Sequence, residues 1–283
     1  MSFDNRSVGV FDSGLGGLTS VRELEKMLPN ENIIYFGDTG RVPYGTRSPE
    51  TILKYSADDL RFLLKHNIKA VLIACGTVSS IALDTLSVAS PVPLVGVVKP
   101  ASKLACQLAF SSDKGIRGNV AVLGTPATAK NGAYEREILK CNPDAKVMPV
   151  ACPMFVPLVE NGYTDTNENP VTLLIAEEYI AKLSQFRPTS LILGCTHYPL
   201  IRNSIEKACA EILGYLPEIV DAGACAADSL RELLELNGLL TNRSEKGTSK
   251  FFVSDETQNF SQSASAFLGR KIEGVTKIEI EKE

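Results

Sequence analysis

Short apolar runs recur along this chain, and an amphipathic stretch follows each of them. The runs are aliphatic or β-branched and lie at residues 8–11, 33–36, 70–75, 94–98, 119–123, 146–150, 190–195 and 218–221. Because they are apolar throughout instead of alternating, they predict strands that are buried on both faces of a parallel sheet. Helical periods between such strands predict repeated βα units, and therefore an α/β fold.

The C-terminal part of the chain has a different pattern. Residues 241–249 are polar and predict a loop, and a short apolar run follows at 251–253. A helix is predicted near 256–268. The alternating residues 276–281 predict an edge strand with one solvated face.

Two of the predicted strands end in cysteine, at Cys75 and Cys195, which indicates a weak internal duplication. We therefore expect two doubly wound parallel-sheet domains related by pseudo-two-fold symmetry, with the active site in the cleft between them. Residues 1–100 are predicted to form the N-terminal domain and 101–211 the second domain. Residues 212–283 are then expected to return to the first domain.

The composition argues against several classes of protein. The 283 residues are 44% apolar, and the net charge of −4 comes without a Lys/Arg cluster that would follow a phosphate backbone. No apolar stretch is long enough to span a membrane, and the N-terminus lacks the apolar core of a signal peptide. The seven cysteines include no Cys-x-x-Cys, and only two His are present. We therefore expect a cytoplasmic protein with reduced thiols that binds a small molecule, and no nucleic acid, membrane or metal.

Cys75 and Cys195 are the candidate catalytic residues. A parallel strand delivers its last side chain to the carboxyl edge of the sheet, where α/β proteins bind ligands. Two thiols delivered there from two halves of a chain suit a two-base enzyme, in which one thiolate takes an α-proton and the opposite thiol returns one. An isolated cysteine at a strand end is more simply a small buried hydrophobe, and the paired context favours the catalytic interpretation. Four other cysteines lack that context and are expected to be structural: Cys106, Cys141, Cys209 and Cys225.

These thiols need partners, because a thiol acts as a base only when its pKa is lowered. A helix that begins just after Cys75 or Cys195 would lower that pKa through the N–H groups of its first turn. Asp12 is the candidate proton acceptor for Cys75, and His197 is the candidate for Cys195. Glu160 either faces the cleft or caps a turn. Enzymes that remove the α-proton of an amino acid often use pyridoxal phosphate, which a lysine anchors as a Schiff base. No strand end shows an obvious lysine for this purpose, so we expect no cofactor.

Two glycine-containing turns are candidate substrate contacts. Residues 12–17 lack the spacing of a phosphate-binding loop and predict a tight strand-to-helix turn. That turn either presents Asp12 and Ser13 to the cleft or uses Ser13 as a helix cap. The turn at Tyr44 and Gly45 either offers two backbone N–H groups to a carboxylate or is an ordinary turn.

Four sequence blocks together carry a family resemblance. They are PheAspSerGlyLeuGlyGlyLeuThr (11–19), GlyAspThrGlyArgValProTyrGly (37–45), AlaCysGlyThr (74–77) and GlyCysThrHisTyrProLeu (194–200). In order and spacing they resemble the glutamate racemase family, within the cofactor-independent aspartate/glutamate racemase superfamily. The resemblance runs from about residue 7 to at least 269, and the last block is highly specific.

The resemblance implies an isomerase that interconverts L- and D-glutamate and supplies D-glutamate for bacterial peptidoglycan. It also implies two α/β domains with glutamate buried between them, commonly in homodimers. Cys75 and Cys195 then match the two proton donor/acceptors, assisted by residues similar to Asp12 and His197, with Glu160 as a further candidate. The positions that match the family's substrate contacts are Asp12, Ser13, Tyr44, Gly45, Thr77, Thr196 and His197.

One position departs from the family pattern. After the first cysteine the family usually has Asn-Thr-Ala, whereas this chain has Gly76-Thr77-Val78. Gly76 offers substrate only its backbone N–H, and losing one hydrogen bond to a charged group costs on the order of 1.5–3 kcal/mol. Two alternatives therefore stay open. One is a racemase of a related amino acid such as aspartate, and the other is a catalytically weakened binding or regulatory relative.

Overall fold

The computed structural model describes residues 3–111, 117–165, 169–255, 260–272 and 274–280. The strands in these ranges are β1 (Ser7–Asp12), β2 (Ile33–Gly37), β3 (Ile68–Ile73), β4 (Leu94–Gly96), β5 (Asn119–Gly124), β6 (Lys146–Ala151), β7 (Ser190–Leu193), β8 (Glu218–Asp221), β9 (Ser249–Val253) and β10 (Val275–Lys277). The α-helices are α1 (Leu18–Met27), α2 (Pro49–Leu64), α3 (Gly76–Ile81), α4 (Leu83–Ala89), α5 (Val98–Phe110), α6 (Pro126–Asn131), α7 (Ala133–Cys141), α8 (Phe155–Glu160), α9 (Pro170–Ala181), α10 (Arg202–Leu213), α11 (Ala222–Leu236) and α12 (Phe260–Leu268). Among the described residues, no helix is long and apolar enough to cross a membrane.

The chain divides into two compact units. The first comprises Met1–Val97 and Gly223–Glu283, and the second comprises Val98–Ala222. The return to the first unit therefore lies later than the sequence-based boundary at 211. The physical reason is β8, which pairs with β7 in the second sheet and so keeps the preceding residues in that unit.

Each unit is built on its own parallel sheet. The first sheet has six strands in the order β10-β9-β2-β1-β3-β4, and the second has four in the order β6-β5-β7-β8. All neighbouring strands run parallel. With helices between the strands, this confirms the predicted α/β class. The central strands β3, β5 and β7 are buried along their whole length, as their unbroken apolar runs predict.

The two sheets share one strand order. The series β2-β1-β3-β4 in the first unit has the same topology as β6-β5-β7-β8 in the second. In each series the strand order reverses between the second and third strands, at β1/β3 and at β5/β7. Such a switch point opens a crevice at the carboxyl ends of the strands, which is where open α/β sheets bind ligands.

Several elements differ from the sequence-based expectation. β3 ends at Ile73 and β7 at Leu193, so each candidate cysteine lies two residues beyond its strand and not at its end. β6 is an edge strand and is only partly buried, because it has a neighbour on one side only. β10 is an edge strand as predicted but spans only 275–277. The first residues of the helix predicted at 256–268 lie outside the described residues, and the helix is observed from Phe260.

Candidate active site

The turn after β1 holds Asp12 and Ser13 in a fixed place. Asp12 is the last residue of β1 and is buried, and its Oδ2 accepts a hydrogen bond from the Gly14 N–H at 3.1 Å. A Cβ on Gly17 would lie 2.5 Å from the Asp12 Cβ, so the turn can close only with glycine there. The N-cap of α1 is Gly17, which decides against Ser13 as the cap of that helix.

Cys75 lies beside this turn. The preceding residue, Ala74, still donates to the Phe11 carbonyl of β1 at 2.9 Å, which brings the cysteine to the β1/β3 switch point. The Cys75 Sγ donates to the Ser13 Oγ at 3.3 Å. Cys75 is also the N-cap residue of α3, so the helix predicted directly after this cysteine is confirmed. Gly76 and Thr77 are the first two residues of that helix, and both are buried.

Tyr44 and Gly45 open a short 3-10 helix, Tyr44–Thr46. The Tyr44 side chain is buried in the first unit, where its hydroxyl donates to Asp38 Oδ2 and, at 3.1 Å, to Asp59 Oδ2. The phenol is therefore an anchor of this segment. A contact between Tyr44 and a substrate would have to use the backbone, as the sequence-based interpretation assumed.

A buried ionic cluster holds the same segment. The Arg41 guanidinium bonds Asp38 at 2.6 Å, Asp59 at 2.8 Å and Asp58 at 3.1 Å, and it stacks 4.3 Å from the ring centroid of Tyr55. Burial, and then the charge of Asp38, raise the pKa of the Asp59 carboxyl. Asp38 and Asp59 are fully buried, so Arg41 compensates charge that water cannot reach.

We expect Arg41→Met to lower the free energy of unfolding by about 3–5 kcal/mol, because it leaves the buried carboxyl pair of Asp38 and Asp59 without its cation. Arg61→Met is the matched control, since Arg61 pairs with Asp58 at 3.0 Å but its side chain is 60% exposed. That exposed pair is expected to contribute at most about 1 kcal/mol. Urea denaturation of both variants measures the difference, and equal losses would contradict the structural role given to Arg41.

In the second unit, Cys195 lies at the β5/β7 switch point. Gly194 donates to the Leu123 carbonyl of β5 at 2.8 Å, as Ala74 does to β1 in the first unit. After Cys195 the chain forms a turn and then a 3-10 helix, Tyr198–Ile201. Of the two cysteines, therefore, Cys75 and not Cys195 is followed directly by a helix.

A histidine and a carboxylate stand beside Cys195. The Cys195 Sγ lies 3.8 Å from His197 Nδ1, and His197 Nε2 lies 3.1 Å from Glu160 Oε1. Thr196 Oγ1 lies 3.4 Å from the same Nδ1. Glu160, the last residue of α8, thus orients His197. The three side chains form a chain from sulfur to imidazole to carboxylate.

The charge of His197 is set by these neighbours. Burial disfavours the imidazolium, but hydrogen bonds to Cys195 and Glu160 outweigh it and raise the pKa of His197 to about 10. His197 is therefore cationic at neutral pH. An imidazolium at this distance can give a proton to the sulfur or stabilise negative charge that develops there, which differs from the acceptor role predicted from the sequence.

The raised pKa of His197 predicts a pH-dependent stability. A group with a raised folded-state pKa stabilises the fold fully below its unfolded value, near 6.5, and this contribution is lost as the pH rises through about 10. Glu160→Gln removes one cause of the shift. We therefore expect Tm of Glu160→Gln to lie below that of the original chain near pH 6, with the difference shrinking toward pH 10. Solvent reduces the effect, because the Glu160 side chain is 48% exposed.

Glu206→Gln is the control for this measurement. Glu206 forms an exposed pair with Arg202 at 2.6 Å, and no histidine takes part in that pair. Its Tm difference from the original chain should stay constant over the same pH values. A constant difference for Glu160→Gln as well would contradict the raised pKa of His197.

The structure thus groups the predicted residues by unit. The first unit brings together Asp12, Ser13, Cys75, Gly76 and Thr77, and the second brings together Glu160, Cys195, Thr196 and His197. The sequence-based interpretation missed the contact of Cys75 with Ser13, because a side-chain direction in a glycine-rich turn has no signature in the pattern. Over the described ranges there is no group of three or more His, Cys, Asp or Glu residues that could hold a metal ion.

Comparisons with known proteins point to one family. The Asp/Glu/hydantoin racemase family matches residues 17–230. The glutamate racemase of Geobacter metallireducens is 41% identical over 278 residues, which covers 98% of both chains. That of Chlorobaculum tepidum is 42% identical over 269 residues, covering 95% of this chain and 94% of the relative. The crystal structure of glutamate racemase from Francisella tularensis in complex with D-glutamate has a TM-score of 0.88 at 37% identity, and the match covers 99% of this chain and 100% of that one.

Each of the two parallel sheets has, at its switch point, a thiol that contacts a polar side chain. The protein therefore belongs to the class of α/β proteins whose site suits acid–base chemistry. The chain belongs to the Asp/Glu/hydantoin racemase family. It is an amino-acid racemase, an isomerase, and the resemblance to glutamate racemases that its sequence blocks indicate is confirmed over nearly the full chain.

Proposed function

We propose that this chain interconverts L- and D-glutamate by cofactor-independent proton transfer at Cα between two thiols, those of Cys75 and Cys195. The observation that carries the proposal is the equivalent placement of the two cysteines. Cys75 follows the third strand of the series β2-β1-β3-β4, and Cys195 follows the third strand of the equivalent series β6-β5-β7-β8. The sulfur of each cysteine contacts a polar side chain.

The reaction balances with these two groups alone. One thiolate takes the α-proton, so the Cα–H bond breaks and an S–H bond forms. The thiol on the opposite face gives its proton to Cα, so that S–H bond breaks and a new Cα–H bond forms with inverted configuration. The enzyme ends with its proton on the other sulfur, and proton exchange of both thiols with solvent returns it to the starting state for another turnover in the same direction.

The two thiols have different polar partners. On the Cys75 side, the Ser13 hydroxyl contacts the sulfur, and the Asp12 carboxylate lies at the start of the same turn. On the Cys195 side, cationic His197 contacts the sulfur and is itself held by Glu160. We assign substrate binding to Ser13, the backbone of Tyr44 and Gly45, Thr77 and Thr196, in line with the family resemblance.

Glutamate is the proposed substrate because relatives that are 41% and 42% identical over nearly the full chain are glutamate racemases. The test is racemisation of L-glutamate and, in parallel, L-aspartate by the purified chain after dialysis against a chelator, without added cofactor. We expect D-glutamate to form, and aspartate to racemise at least about a hundredfold more slowly, since a side chain one methylene shorter misplaces its carboxylate. Faster turnover of aspartate, or no racemisation of either, would overturn the proposal.

Gly76 favours a second candidate, a catalytically weakened relative that binds glutamate. If the missing Asn amide limits this chain, Gly76→Asn should raise kcat/KM by about ten- to a hundredfold. Val78→Ala, two residues further along α3, is a control at a position that replaces the family's usual alanine. An unchanged or lower kcat/KM for Gly76→Asn would show that the amide is not what this site lacks.

We further propose that the product serves bacterial peptidoglycan synthesis, that the enzyme acts in the cytoplasm and that it forms a homodimer. These assignments rest on the family resemblance. Sedimentation equilibrium across micromolar concentrations tests the homodimer, and a mass of 30.5 kDa throughout would contradict it.

A further inference from the structure

Tyr35 is a buried residue outside the family's substrate contacts that touches the turn carrying Asp12 and Ser13. It lies on β2 opposite Val10 of β1, and its side chain is 1% exposed. Its hydroxyl donates to the Gly14 carbonyl at 2.6 Å. Because the turn follows β1 directly, the phenol supports the turn from the neighbouring strand.

The Gly14 carbonyl is confined from a second direction. A Cβ on Gly37 would lie 2.3 Å from the Gly14 oxygen and 3.1 Å from Tyr35 Cε1. Real Cβ atoms do not approach so closely, so Gly37 leaves the space that this carbonyl occupies. The carbonyl sits between the Tyr35 hydroxyl and the Gly37 backbone.

The two peptide groups on either side of Gly14 are therefore both held by hydrogen bonds. The Gly14 N–H donates to Asp12 at 3.1 Å, and the Gly14 carbonyl accepts from Tyr35 at 2.6 Å. Ser13 lies directly before Gly14, and its Oγ accepts from the Cys75 sulfur at 3.3 Å. A displacement of Gly14 would move the hydroxyl that contacts the thiol.

We propose that Tyr35 is a positioning residue for the Cys75 half of the reaction, an inference that rests on the proposed two-thiol function. It holds Gly14 so that Ser13 and Asp12 keep their places relative to Cys75. The Tyr35 hydroxyl remains a donor over the whole working range of pH. Burial, and then the charges of Asp12 and Cys75, raise its pKa well above the ordinary value.

The variant that tests this is Tyr35→Phe, which keeps the ring and removes only the hydroxyl. We expect kcat/KM to fall about tenfold in both directions, because a small misplacement of a catalytic group has effects of this size or larger. That loss alone would not distinguish positioning from a general loss of folded protein. Deuterium isotope effects on kcat/KM, measured with Cα-deuterated L-glutamate and D-glutamate, do distinguish them.

The isotope effect in each direction reports how far proton removal by one thiol limits the reaction. If Tyr35→Phe impairs the Cys75 side, proton transfer at Cys75 becomes more limiting. The isotope effect should then rise for the enantiomer whose proton Cys75 takes and fall for the other. His197→Asn, which acts on Cys195, should shift the ratio of the two effects in the opposite sense. A merely structural role would leave both isotope effects as they are.

Tyr215→Phe is the matched control, since its hydroxyl donates to the Pro188 carbonyl at 3.0 Å, before the first residue of β7, whereas Cys195 follows the last residue of that strand. It should leave the ratio of isotope effects unchanged. Gly37→Ala, which pushes the same carbonyl from the other side, should shift the ratio in the sense of Tyr35→Phe and serves if that variant does not fold. If the original chain racemises glutamate but Tyr35→Phe or Gly37→Ala leaves the ratio of isotope effects unchanged, the positioning role alone is overturned. No racemisation by the original chain would instead defeat the proposed function.

Discussion

Replacing Cys75 or Cys195 with serine is expected to lower the rate of glutamate racemisation at least about a thousandfold in each case. A serine hydroxyl is a far weaker acid than a thiol, so it neither takes the α-proton near neutral pH nor returns one efficiently. The two losses should be of similar size, because every turnover in either direction uses both groups. Polarimetry or a coupled D-glutamate assay measures them.

The single variants should also differ from each other in one respect. In each, the remaining thiol still takes the proton from the enantiomer that it faces, so slow exchange of that proton with solvent should persist for L-glutamate in one variant and D-glutamate in the other. Cys141→Ser is the matched control, because Cys141 is an exposed free cysteine and should tolerate the change with full activity. Full racemisation by Cys75→Ser or Cys195→Ser would contradict the account.

His197→Asn is expected to lower kcat by about a hundredfold or more, within the range found for general acid–base groups. The imidazolium lies 3.8 Å from the Cys195 sulfur, so its removal takes away the proton source and the positive charge on that side. KM should change much less than kcat if His197 acts mainly in proton transfer.

The chain offers a matched control in its other histidine. His66 packs against the rings of Phe62 and Phe252, with centroid distances of 4.7 Å and 5.0 Å, and no candidate catalytic side chain is among these contacts. His66→Asn should therefore lower Tm and leave kcat per folded enzyme unchanged. Equal losses of kcat in the two variants would argue against a role for His197 in proton transfer.

The fold was predictable because its main signal is local. Unbroken apolar runs such as those of β3 and β7 specify buried parallel strands, and the cysteines that follow them specify the edge where a site belongs. The partly buried strand β6 shows the limit of that signal. Its apolar residues predict burial on both faces, but its place at the edge of the sheet depends on the strand order, which the run itself does not encode.

The sequence motifs indicate the residues of the candidate site and the contact of His197 with Cys195, but not the other contacts within the site. The motifs indicate Asp12 for Cys75 and His197 for Cys195. In the structure, the Cys75 sulfur contacts Ser13, and His197 is hydrogen-bonded to Glu160. These pairings depend on rotamers and on contacts between residues far apart in the chain. For the same reason the Tyr35 hydroxyl on the Gly14 carbonyl has no counterpart in the pattern of the sequence.

The central claim is that two thiols on opposite faces of the substrate exchange protons with Cα. The most direct test follows L-glutamate and D-glutamate separately in deuterated water, and measures deuterium at Cα of substrate and product during the first few per cent of conversion. The account predicts that the product carries deuterium from solvent while the remaining substrate still carries protium, in both directions. Product that keeps the substrate's own protium, or substrate that exchanges as fast as product forms, would indicate a single base and contradict the account.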